Sequence, residues 1–467
     1  MAFLGLFVYG LMGAALYQSY GHYHPYYVPY VFLGIVALVA LAALRPEVGG
    51  PAPAGRVEAL LILLALAFCC ALAYDPRLRF ATGPRWAVNA LLWLLAAVPV
   101  LVAAGGVWLL RLGTAGLERR DVALVFGAAA TVLWAGQFLV PLASPAPQID
   151  VYLHSSMAAR DLLTGVNPWT HGYPDLYGGA NGAASISFPY WPGSLLPLAV
   201  SQALSGDIRF ALVLAQGLSA AALFILGGRW GLSRTARVLF PLIWLSFPVQ
   251  YFVVEQSWVD TFLVTCVLAL SAAVQSRRLV LAALLAGLAT SVKQYGALIP
   301  LATALWIWRR QSLREAVRFA AWAAAAFLVV MVPLVAWNPH AFFDSTLAKV
   351  GGIPFRLDSF TLAAYLQNEW ELSFSVRALT IVSGGGALAG LGLLAVRRLS
   401  GKGVFQIDLA LLASFSALFL LGRHAYCNYL QFLSVLVLLC AAHASAPAPA
   451  PAPGSEPTPS PSPVQAT

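Results

Sequence analysis

The sequence predicts an all-α fold, a polytopic transmembrane helical bundle, on three observations. The chain of 467 residues is 60% hydrophobic, with a mean hydropathy of +0.79. Only 10% of it is charged, against roughly 25% in a soluble domain. A water-facing surface could not be covered by so few polar groups. The apolar residues also fall in blocks of roughly 17–24, the length that crosses a hydrocarbon core of about 30 Å.

Taken in order, spans are predicted near 2–18, 28–44, 59–74, 87–110 and 121–141. The opening MAFLGLFVYGLMGAALY lacks a basic n-region and a cleavage site, so it reads as the first span rather than a removed signal peptide. A long polar segment then covers 142–207. It carries a helix over 148–164, a Gly/Asn turn (YGGANG) and an aromatic-proline run (SFPYWPGSLLPL) suited to the headgroup layer. Further spans follow near 208–228, 236–253, 258–276, 279–292, 295–308, 317–337, 376–396, 405–421 and 425–443, about fourteen in all. The short runs flanking Lys293 are either two spans or one broken hairpin. From Ala446 the tail APAPAPAPGSEPTPSPSP is too poor in apolar side chains to fold and predicts a disordered cytoplasmic extension. The chain thus divides into N-terminal transmembrane helices over 1–120, a membrane core over 121–443 and a tail over 444–467.

Arg and Lys at the span ends give the orientation. Arg229, Arg234 and Arg237, then Arg277 and Arg278, then Arg309, Arg310, Arg314 and Arg318, then Arg397, Arg398 and Lys402 all fall on one side. Arg111, Arg119 and Arg120 agree. That side is cytoplasmic, and the loops 142–207 and 338–375 face outward, into the periplasm or exterior of an inner (plasma) membrane. Only 75–86, with Arg77, Arg79 and Arg85, breaks the rule, which leaves the role of the first four spans open. The net charge of +9 sits at helix ends, not in a soluble basic domain, so nucleic acid is excluded as a partner. Cys69, Cys70, Cys266, Cys427 and Cys440 lie in or beside apolar runs without a CxxC pair. They read as small core hydrophobes rather than a zinc or redox site.

Four polar clusters remain, and the assigned topology puts all of them on the outer face. The first, PQIDVYLHSSMAARDLLTGVNPW, places Asp150, His154, Met157 and Asp161 on one helical face just after a span. Asp150 meets both water-borne and lipid-borne groups there, as a general base toward a hydroxyl would; capping the helix is the competing role. Spacing alone assigns nothing to His154 and Asp161. The second, VVEQSWVDTFLV, carries Glu255, Gln256 and Asp260. The third, AGLATSVKQYGALIPL, sets Lys293 between apolar stretches, where it needs a partner such as phosphate or must snorkel to the interface. The fourth, GRHAYCNYLQ, holds Arg423, His424, Tyr426, Asn428 and Tyr429 at the head of the last span, as ligands or as interfacial anchors. Anchoring cations should favour the cytoplasmic side, so the convergence points to one outward-facing site.

At these residues the chain resembles the GT-C polytopic glycosyltransferases, most closely glycosyltransferase family 87 with its lipid-linked mannosyltransferases. The likeness covers about 140–440. It rests on Asp150 and Tyr152 after a span, Gly165, Pro168 and Trp169, the FPYWP run, Gln256 at the head of a span, the SRR turn, and the AG element that ends in Lys293. Glu255 stands where the family pattern often has Gly, and Pro300 follows Lys293 later than is common. The resemblance implies inverting transfer of a mannose-like hexose from a polyprenyl-phosphate sugar to a glycolipid, glycan or protein acceptor at the outer leaflet. It implies Asp150 as the base and Lys293, Arg423 and His424 at the donor phosphate. Tyr152, Gln256, Asp260 and Asn428 would meet sugar or acceptor. No cofactor is obligatory; a divalent metal is possible but not indicated. A glycan polymerase or ligase using lipid-linked oligosaccharides and a lipid or solute transporter are the alternatives. The chain has no internal repeat of the kind expected of an inverted-repeat transporter.

Overall fold

The computed structural model describes residues 1–44, 55–176, 185–396 and 403–446. The YGGANG turn, Arg397, Arg398, Lys402 and the Pro/Ala-rich tail beyond Ala446 lie outside the described residues. The regular structure of the described residues is helical apart from a two-stranded antiparallel pairing of β1 (Tyr173–Pro174) with β2 (Ser185–Ile186) and an isolated bridge between His22 and Ser359.

The N-terminal group is α1 (Ala2–Ser19), α2 (Tyr27–Leu44), α3 (Arg56–Tyr74) and α4 (Arg85–Leu112). Then α5 (Arg120–Gln137) and the one-turn α6 (Val140–Ala143) lead into α7 (Asp150–Leu163) and α8 (Pro192–Ser205). The central series is α9 (Arg209–Arg229), α10 (Arg234–Leu245), α11 (Gln250–Gln256), α12 (Asp260–Gln275), α13 (Leu279–Val292), α14 (Leu298–Arg310) and α15 (Leu313–Val335). Short helices α16 (Pro339–Phe343), α17 (Lys349–Gly352) and α18 (Leu362–Trp370) fill the next connection, and α19 (Val376–Leu391), α20 (Phe405–Leu420) and α21 (Cys427–Ala444) close the bundle.

A helix stands at each predicted span. Among the described residues, eight are long and apolar enough to cross a membrane alone, and α10 with α11 makes a ninth if that bent pair counts as one. The predicted span 236–253 is therefore not straight: α10 and α11 meet at 46°. Pro248 sits in the break, where its missing N–H and its ring stop the helix from continuing. The polar segment 142–207 also holds a helix the sequence did not reveal. Pro192 starts α8 at a position that needs no N–H donor, and Leu195, Leu198 and Ala199 bury its inner face.

Helix α21 is buried along nearly its whole length and forms the centre of the bundle. Large apolar side chains such as Phe7, Trp93, Leu110, Val329 and Ile381 stay exposed on the outside, which costs nothing against lipid tails. Close helix contacts use small residues: a Cβ on Gly287 of α13 would lie 2.1 Å from the Ala323 carbonyl of α15. The N-terminal helices belong to the same body. The Tyr9 hydroxyl donates to the Ile243 carbonyl at 3.1 Å, and the Ser233 hydroxyl to Glu58 at 2.7 Å. Gly21, at φ +76°, lets the turn after α1 pass over Cys427, whose backbone nitrogen would be 2.1 Å from a Cβ there.

Candidate active site

At one end of the bundle a cavity of about 670 Å³ opens between the turns that follow α1, α3, α6, α11, α13 and α20. Each turn contributes polar side chains, so the site is assembled from pieces far apart in the chain.

The most buried wall is built on the break between α11 and α12. Helix α11 ends with Trp258 N–H reaching the Val253 carbonyl and Ser257 N–H the Val254 carbonyl, a terminator that usually requires glycine. Here Ser257 takes the left-handed conformation at φ 62°. The reversal aims Gln256 and Asp260 into the cavity. Opposite them, α13 stops at Lys293 in extended backbone, and a 3₁₀ turn over Gln294–Ala297 leads into α14. The Lys293 ammonium donates to Asp260 Oδ2 at 2.7 Å, and the Asn428 amide donates to the same oxygen at 2.7 Å. The Tyr295 hydroxyl donates to Asp260 Oδ1. Tyr190, Tyr429 and Tyr295 surround the ammonium, with ring centroids at 4.9, 5.4 and 5.6 Å. Lys293 is only 5% exposed, so it is a paired, caged cation and does not snorkel.

The second wall comes from the loop between α3 and α4. Glu255, wholly buried, accepts the backbone N–H groups of Arg79 and Phe80, each at 2.9 Å, and the Gln256 amide at 3.0 Å. Arg77 is bound to Asp75 at 3.1 Å, to the Tyr20 hydroxyl at 3.1 Å and to the Tyr17 carbonyl. Arg79 lies over the Tyr20 ring at 4.1 Å and lines the cavity. Of the arginines in the loop that broke the orientation rule, Arg79 lines the cavity and Arg77 ties the loop to the end of α1. Glu255→Ala removes the acceptor that ties this loop to α11, so a lowered melting temperature and faster proteolysis within 75–80 are expected. Unchanged melting and cleavage would show that the loop is held by something else.

The third wall is the segment 353–358 with the head of α21. Arg356 forks onto Asp358 at 2.9 and 2.7 Å, and the Tyr426 hydroxyl donates to Asp358 at 3.1 Å. Burial works against ionisation of Asp358, but Arg356 and the Tyr426 hydroxyl outweigh it and hold the carboxyl below the usual carboxylate range. His22 stands 3.5 Å from Asp358, and burial pushes its pKa down. Tyr23 N–H donates to the Asp358 carbonyl at 2.8 Å, which fastens the turn after α1 to this wall. Behind it, Arg423 donates to the carbonyls of Gly351, Ile353 and Val350 at 2.8, 3.1 and 3.2 Å, and His424 Nε2 lies 2.8 Å from the Pro354 carbonyl. Burial lowers the pKa of His424 as well.

The rim is the start of α7. Ile149 occupies the cap position in extended backbone, so Asp150 is the first helical residue, half-buried and lining the cavity. Its Oδ1 accepts Val151 N–H at 2.8 Å. Further along α7 the polar residues serve structure. His154 Nε2 lies 2.9 Å from the Pro174 carbonyl, and Asp161 accepts from the Tyr173 hydroxyl at 2.8 Å and sits 2.7 Å from His171. Tyr152 packs on the buried Arg209, 4.8 Å from ring centroid to guanidinium carbon. Among the described residues no three His, Cys, Asp or Glu side chains group as metal ligands.

The glycosyltransferase family 87 model matches residues 188–422, just over half of the chain. The protein belongs to glycosyltransferase family 87. No curated protein and no solved structure matches it. As a family 87 member it is a multi-pass membrane glycosyltransferase.

Within this family 87 chain, the cavity brings together Asp150, Gln256, Asp260, Lys293 and Asn428 of the residues singled out from sequence. Tyr152, Arg423 and His424 stand outside its lining, occupied by Arg209 and by the carbonyls of 350–354. Arg79, His22 and Arg356 line it and were not anticipated. The one signal for Arg79 was its loop's position on the wrong side. Only Gln256, Asp260, Lys293 and Arg356 of these fall inside the family match; Asp150 and Arg79 precede it, and Asn428 follows it.

Proposed function

We propose that the protein is an inverting glycosyltransferase that moves a mannose-like hexose from a polyprenyl-phosphate sugar to an acceptor hydroxyl. The acceptor is carried by a glycolipid, glycan or protein at the outer leaflet. Asp150 removes the proton from that hydroxyl while its oxygen attacks the anomeric carbon on the face opposite the phosphate. The bond from the anomeric carbon to the phosphate oxygen breaks, and its electron pair leaves with a phosphate that gains a second negative charge. Lys293 offers N–H donors beside that phosphate; Gln256, Asp260 and Asn428 meet sugar hydroxyls.

The observation that supports this reading most is the shared cavity. A half-buried carboxylate on its rim faces a wall of cations and amides at the end of a lipid-embedded bundle. Charge that develops on a leaving phosphate is stabilised most by donors fixed in place beforehand. The Arg-rich turns after α9, α12 and α14 lie at the other helix ends, which supports an outward-facing site.

The test offers purified protein in nanodiscs three donors: polyprenyl-phosphate mannose, GDP-mannose and a polyprenyl-pyrophosphate oligosaccharide. Transfer from the first, with the opposite anomer in the product, is the expected result. Transfer confined to either of the others would discard the donor assignment.

A further inference from the structure

The cavity's cations are not all held in ion pairs among the described residues. Lys293 is matched by Asp260, and Arg356 by Asp358. Asp75 in the α3–α4 loop is taken by Arg77, and Glu255 has both oxygens on backbone N–H groups and the Gln256 amide. The Arg79 guanidinium lines the same cavity and makes no ion pair among the described residues. Tyr20 covers one of its faces, which fixes the plane and leaves the N–H edge to meet a ligand. Its backbone is pinned by a wholly buried carboxylate, so the cation is positioned rather than merely present.

We propose that Arg79 binds the phosphate of the donor, and that the N-terminal helices, outside the family match, thereby complete the active site. This rests on the phosphosugar donor reading above. A guanidinium presents a planar fork of donors that suits two phosphate oxygens at once, and it stays charged throughout turnover. Lys293, neutralised by Asp260, supplies hydrogen bonds but little net charge. Arg79, which makes no ion pair among the described residues, offers its guanidinium to a phosphate passing from one to two negative charges. The same assignment explains why an outer loop keeps an arginine against the orientation rule.

The probe is farnesyl phosphate, with farnesol as the uncharged control, titrated into full-length protein in phosphatidylcholine nanodiscs by quenching of tryptophan fluorescence. Trp258 lines the cavity and reports its occupancy. R79Q is expected to weaken farnesyl phosphate binding by about tenfold to a hundredfold while leaving farnesol unchanged. R79K, which keeps the charge but loses the fork, should fall between the two. Equal farnesyl phosphate affinity in R79Q and wild type would overturn this inference and leave the glycosyltransferase reading standing. Equal weakening of farnesol would overturn it too, by making the residue structural. Displacement of the probe by phosphatidylglycerol would assign the site to bilayer headgroups and overturn it. A wild-type protein that binds no farnesyl phosphate overturns both this inference and the donor assignment.

Discussion

Asp150→Asn is expected to slow sugar transfer by about 10²–10⁴-fold while the protein still accumulates in the membrane. The amide is nearly the same size as the carboxylate, and its oxygen still accepts the Val151 N–H that Asp150 takes at 2.8 Å. What it loses is the ability to take a proton from the acceptor. Asp150 starts α7 half-exposed, where water also reaches the side chain. Initial rates with a radiolabelled donor, alongside an immunoblot of membrane fractions, separate lost chemistry from lost protein. A wild-type rate in normally abundant protein would end the assignment of Asp150 as base.

The second large effect concerns the pair at the bottom of the cavity. Lys293→Met leaves the Asp260 carboxylate buried with only Asn428 and Tyr295 as donors. Asp260→Asn leaves a buried ammonium held mainly by aromatic faces. Removing one partner of such a pair costs about 3–5 kcal/mol, because the other charge is then uncompensated. Removing both charges costs less, so the double variant should be more stable than at least one of the single ones. Thermal unfolding of the four proteins in one detergent measures that coupling directly. Simple additivity would mean that the ion pair contributes nothing to the folded state. Transfer should be lost in all three variants, since Asp260 and Lys293 both face the substrate cavity.

Much of the site was legible before any coordinates. Asp150, Gln256, Asp260, Lys293 and Asn428 stood out because polar side chains are scarce in an apolar chain, and all of them line the cavity. Arg423 and His424 stood out for the same reason, but the structure shows their side chains on the backbone carbonyls of 350–354. Rarity marks a residue as costly to bury; it does not tell whether a ligand or a carbonyl meets that cost. Glu255 looked like a departure from the family pattern and proves to anchor a loop that is 175 residues away in sequence. Arg79 looked like a topology error and lies in the cavity wall.

The sequence alone determined the class of the molecule, an all-α bundle with helices at every predicted span. That follows because length and apolar content are local properties, tested against a bilayer of nearly fixed thickness. The tertiary structure decided the bend at Pro248, the presence of α8 and, above all, who pairs with whom. Lys293 meets Asp260, Glu255 takes the loop of Arg79, and Arg79 has no ion-pair partner among the described residues. Such pairings join turns from distant parts of the chain. They are set by which helices lie side by side, and no local pattern of residues encodes that.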